Sequence, residues 1–162
     1  MTIALTRHGT IYSFGNDMDN SLLLGRKSDK MHPYYIPSPI KSLYFVPIIE
    51  IACGLFHCIV RTKFKRLYSW GKNNHGQLGL NNRQNINNPK EIISLRDSDF
   101  IQIECGGQHT TILCENSKIY CFGDNHYGQC GKIGESNILI PYKINNKLFE
   151  NINKYIKQIC CG

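Results

Sequence analysis

The sequence predicts an all-β chain of repeated four-stranded antiparallel units, and three spaced markers carry that prediction. The segments EIACG, QIECG and QICCG end on Gly54, Gly106 and Gly162, spaced by 52 and 56 residues. IYSFG, LYSWG and IYCFG end on Gly15, Gly71 and Gly123, spaced by 56 and 52, and Pro-x-x-Ile recurs from Pro37, Pro89 and Pro141 at steps of 52. Markers that agree on one period signify stacked repeats of one supersecondary unit.

The second unit shows the elements most fully. Four runs, PIIEIAC (47–53), HCIVRT (57–62), RLYSW (66–70) and one around PKEIISL (89–95), are short, rich in Ile, Val and aromatics, and bounded by Gly, Asn and Pro. No window shows the 3, 4, 7 spacing of an amphipathic helix. The markers order the chain as one repeat domain, 1–162, with units 1–54, 55–106 and 107–162. The first lacks its leading strand, and a lone leading strand is expected over 156–161. Four antiparallel strands per unit make a propeller blade, which exposes an apolar face alone and gains stability by stacking on the next. The expected architecture is therefore a partial β-propeller of about three repeats, its ring not closed by this chain alone. If nothing lay outside the 162 residues, the exposed end blades should drive self-association.

Hydrophobic content of 41% with 19% charged residues reads as globular. The most apolar stretch, YFVPIIEIACGLF, is interrupted by Pro47 and Glu50, so no membrane span is expected. The start lacks a basic n-region and a cleavage site, which predicts an intracellular protein of nucleus or cytoplasm rather than a secreted one. Eight cysteines without C-x-x-C or paired-His spacing read as free thiols, not a zinc site. The net charge of +7 permits an acidic partner without specifying one.

Residues 66–114 carry LYSWGKNNHGQLG, PKEI and FIQIECGGQHTTIL, and residues 119–131 repeat the first part as IYCFGDNHYGQCG. With these residues the chain resembles the regulator of chromosome condensation repeat. The resemblance implies a seven-bladed propeller fold, of which this chain holds about three units. It also implies roles in protein recognition, in guanine-nucleotide exchange on a Ran-like small GTPase, or in chromatin binding. Two loops depart from the pattern: the corner NDMDNSLLL (16–24) lacks the Gly-Gln pair, and RTKFKR (61–66) replaces a glycine-containing hairpin turn.

The glycine-rich decapeptides are not followed by a helix or a Lys-Ser/Thr ending, which excludes a phosphate loop. Gly71, Gly76, Gln77 and Gly79, with Gly123, Gly128, Gln129, Gly131 and Gly15, are read as structural corner positions, as are Gly54, Gly106, His57 and His109. Trp70, the single tryptophan, is read as core. The feature that does not recur is basic: Arg61, Lys63, Lys65 and Arg66 at a hairpin tip, a candidate contact for an acidic partner or nucleic acid. No catalytic, metal-binding or cofactor residues are expected. The function expected is a non-enzymatic protein-interaction module within a larger propeller protein, with exchange activity or chromatin and nucleic-acid binding as alternatives.

Overall fold

A computed structural model describes residues 1–15, 23–27, 33–115, 117–145 and 156–162. The long corner loop at 16–24 lies mostly outside these. Strands β1 (Thr2–Leu5), β2 (Ile11–Phe14) and β3 (Ser38–Pro39) form a three-stranded sheet, the first blade. The second blade comprises β4 (Ile48–Cys53), β5 (His57–Thr62), β6 (Leu67–Gly71) and β7 (Ile86–Glu91). The third comprises β8 (Phe100–Cys105), β9 (His109–Cys114), β10 (Ile119–Asp124) and β11 (Asn137–Lys143). All pairs are antiparallel and follow chain order, so each blade is a meander. Register aligns β1 with β5 and β9, and among the described residues no strand stands in the first blade at the place equivalent to β4. The three sheets form an unclosed arc.

The core lies between blades rather than within them. Cys58 and Val60 of β5 join Trp70, Ile11, Ile40 and Ile48 in a buried cluster against the first blade. Ile59, the residue between them, belongs instead to the cluster with Ile103, Ile112 and Phe122 of the third blade. Alternate side chains of one strand thus serve opposite neighbours, and the period of two puts a blade on each face. This is why HCIV reads as a continuous apolar run: both faces of β5 are covered.

The fourth strand of the second blade runs over 86–91, earlier than the 89–95 read from sequence. Its outer edge is unpaired, so Pro89, with no N–H to donate, is tolerated there. Beyond it Ile92 N donates to Leu67 O at 2.9 Å, and the chain tightens into a 3-10 turn over Ile93–Leu95 that buries Leu95. The turn is needed because the chain must cross back towards the next leading strand.

Neighbouring leading strands are tied by a repeated bond. Glu50 Oε1 on β4 accepts from Ile103 N on β8 at 3.0 Å. One period on, the Gln102 carboxamide exchanges two bonds with the backbone of Ile159, at 2.9 and 2.8 Å. Residues 156–162 therefore occupy a leading-strand position, but no strand forms there, because among the described residues none pairs with them as β5 pairs with β4 and β9 with β8. Among the described residues no helix is long and apolar enough to cross a membrane.

Candidate partner-binding face

Antiparallel meanders place the β4–β5 and β6–β7 loops at one face of the arc, and the β5–β6 hairpin and the β7–β8 connection at the other. The first face is occupied by corners that bond to themselves. Asn73 Oδ1 accepts from Leu78 N at 3.0 Å, its Nδ2 donates to Asn82 O at 2.8 Å, and Gln77 Oε1 accepts from His75 N at 3.0 Å. Asn125 and Gln129 repeat this in the third blade, with Cys130 N at 2.9 Å, Lys132 O at 2.7 Å and Tyr127 N at 2.9 Å. The amides that could have met a ligand are committed to the loop.

The corners also lock blade to blade. Trp70 is fully buried, its Nε1 donating to Leu23 O of the first blade at 2.7 Å. Gly25 lies against that indole and Gly79 against the Phe122 ring; a Cβ at either, each at positive φ, would stand 2.9 Å from the aromatic.

His57 joins the second blade to the third. Thr110 Oγ1 donates its single proton to Gln77 O at 2.9 Å, so the 2.9 Å contact between His57 Nε2 and Thr110 Oγ1 has the imidazole as donor. Nδ1 is then the bare nitrogen, buried without a hydrogen-bond partner. Protonating it would bury an unpaired N–H, and burial accordingly holds His57 down at about 4 from an ordinary 6.5. His109 occupies the equivalent place in the third blade, half-buried and shifted in the same direction by burial. Between about pH 6.5 and 4 the unfolded chain binds the His57 proton and the folded chain does not. Stability should therefore be complete above the upper limit and fall by about 3 kcal/mol as pH drops through the window. Chemical unfolding across this range checks it: His57→Gln should flatten the dependence, and an unchanged slope in the variant would refute the assignment.

The opposite face carries the basic hairpin. Lys65 adopts φ 57, the left-handed conformation that Gly9 supplies at φ 82 in the first blade, and Thr62 Oγ1 accepts from Phe64 N and Arg66 N at 3.2 and 3.1 Å. These bonds hold the tip in shape without a glycine. Three of its four charges are paired. Arg61, facing Glu50 across the β4–β5 ladder, lies 2.6 Å from that carboxylate and donates to Phe100 O. Lys65 pairs with Asp99, and Arg66 reaches Asp97 at 3.3 Å and Glu91 at 3.6 Å. Lys63 alone of the four has no carboxylate within ion-pair reach among the described residues.

Around this tip stand aromatics that the sequence did not single out. Lys63 N donates to Pro47 O at 2.9 Å, setting the hairpin against the connection that carries Tyr44 and Phe45. Phe45 is 100% exposed and Phe64 67%, with Tyr44 half-exposed and its ring 6.4 Å from that of Phe45. Their signal was available as apolar residues in a hairpin turn and beside Pro47, but the basic residues of the tip drew the reading to charge.

The chain matches the regulator of chromosome condensation (RCC1) repeat over residues 8–61, 66–113 and 116–162. The human "Probable E3 ubiquitin-protein ligase HERC6" is 29% identical over 164 residues, covering 99% of this chain and 15% of that protein. The mouse "Probable E3 ubiquitin-protein ligase HERC4" is 35% identical over 128 residues, covering 78% of this chain and 12% of that protein. The crystal structure of human WBSCR16 shares the fold, with a TM-score of 0.83 at 20% identity over 99% of this chain and 40% of that one. The expectation that the protein is not an enzyme is corrected by these relatives, which are ligases by name and of which the chain spans only 12% to 15%. A repeat pattern reports on blade packing and is silent about chemistry carried elsewhere in a longer protein. Blade architecture, repeat markers and sequence match agree, and the chain belongs to the RCC1 repeat family.

Proposed function

We propose that this chain is the protein-recognising propeller part of a larger ligase-type protein, and that it binds its partner through the face bearing Phe45 and Phe64. The observation that carries this reading is a set of exposed aromatic rings, Phe64 on the hairpin and Tyr44 and Phe45 on the connection it bonds to, beside basic groups of which three of four are already paired. Large aromatic side chains framed by polar groups are the composition of a protein interface. A nucleic-acid surface needs unpaired cations to replace condensed counterions, and Arg61, Lys65 and Arg66 are engaged by Glu50, Asp99 and Asp97. Protein recognition is therefore the better supported of the two. Its setting is the nucleus or cytoplasm, where ubiquitin-type conjugation takes place.

A photo-crosslinking amino acid at position 64 or 45 of the full-length protein tests this in cells. The expected result is one dominant protein adduct from both positions, weak or absent when the crosslinker stands at Tyr127 on the other face. That adduct should also carry ubiquitin-type remnants that depend on the full-length protein. Equal adducts from both faces would refute the choice of face, and an unmodified adduct would refute the ligase setting.

A further inference from the structure

At the junction between the second and third blades, on the face opposite the aromatic patch, two histidines and an aspartate converge. His75 comes from the loop after β6, Asp124 ends β10, and His126 lies in the loop that follows. Each offers one ligand atom, and these atoms lie within 4.8 Å of one another. His126 Nδ1 is 2.5 Å and His75 Nδ1 3.9 Å from Asp124 Oδ1, and the two imidazoles meet edge to face at 6.1 Å. We propose that His75, Asp124 and His126 form a divalent transition-metal site that clasps the two blades.

Three further facts support the site. First, the fold does not require these residues: the repeat aligns His75 with Tyr127, Asp124 with Lys72 and His126 with Asn74, so the other copies build the same corner without them. Second, the carboxylate is already oriented, its other oxygen accepting from Gln129 Nε2 at 2.9 Å, whereas a metal at His75 Nδ1 would displace that nitrogen's 2.7 Å bond to Asn137 Oδ1. Outer contacts like that of Gln129 hold ligands in metal centres. Third, the cluster is reachable, with side-chain exposures of 30% for His75, 17% for Asp124 and 53% for His126. Two imidazoles and one carboxylate suit zinc, cobalt, nickel or copper rather than magnesium or calcium. Three protein donors leave a coordination position for water or for a donor group of a partner.

Cobalt(II) titration of the whole chain tests the proposal, with zinc as competitor. Saturation at one ion per chain is expected, with visible d–d bands that zinc abolishes and without the intense near-ultraviolet band of a cobalt–thiolate bond. That last criterion matters because all eight cysteines are free. His75→Tyr and His126→Asn place the repeat-equivalent residues and so preserve the corner; each should weaken binding roughly tenfold or more. Matching far-ultraviolet circular dichroism without metal confirms that both variants fold. No saturable binding to the parent chain, unchanged affinity in both folded variants, or a thiolate band lost in Cys121→Ser would each overturn the site.

Discussion

Trp70→Ala should lower the stability of the chain by about 4 kcal/mol, since truncating a buried tryptophan removes its packing and leaves a cavity. The indole is fully buried among Ile11, Ile40, Cys58 and Val60, so the loss falls on the junction between the first and second blades. The substitution also leaves Leu23 O without its donor, a further cost of the same order as one lost buried hydrogen bond. Trp70→Phe supplies the residue type found at the equivalent positions Phe14 and Phe122, and should recover more than half of the loss. Denaturant unfolding followed by circular dichroism is the measurement, because Trp70 is the only tryptophan and its removal abolishes the fluorescence signal. A loss below about 1 kcal/mol would mean that this junction is not a principal source of stability.

Gly54→Ala should cost a similar amount, about 4 kcal/mol, through overpacking combined with a broken hydrogen bond. A Cβ at Gly54 would collide with the His57 ring and with Gly106 O of the third blade. The carbonyl belongs to backbone held by the next sheet, and the ring cannot yield without leaving Thr110. Gly106→Ala should behave alike, its Cβ meeting the His109 ring. Gly107→Ala is the control: nothing lies within 4 Å of a Cβ there, and the effect should stay within about 0.5 kcal/mol. Equal behaviour of residues 54 and 107 would show that the Gly-His contact does not constrain the blade junction.

The repeat was legible because each blade solves the same packing problem with the same residues. Gly54 with His57 and Gly106 with His109 mark one contact used twice, and Trp70 and Phe122 mark another. A period in sequence is the image of a period in space, so blade number and strand order could be read without coordinates. The fourth strand was misplaced towards its C-terminus because Ile92, Ile93 and Leu95 have strand-like composition. Only the route to the next blade shows that they form a turn.

The candidate sites were less legible for the complementary reason. Arg61, Lys63, Lys65 and Arg66 were found as a departure from the repeat, but their pairing depends on Glu50 across the ladder and on Asp97 and Asp99 from the following connection. His75 and His126 are ordinary loop residues in sequence and meet only because corresponding corners of adjacent blades lie side by side. By itself the sequence determined the blade, most of its strands, its corners and the family, all of which follow from local geometry repeated at fixed spacing. The tertiary structure alone decided which charges are neutralised, which aromatics stand in solvent and which loop tips touch. The meeting of loop tips depends on the stacking of blades, which brings together residues about one repeat apart, and the charge pairing depends on the ladder and on the connection that returns beside the hairpin, none of which a local pattern couples.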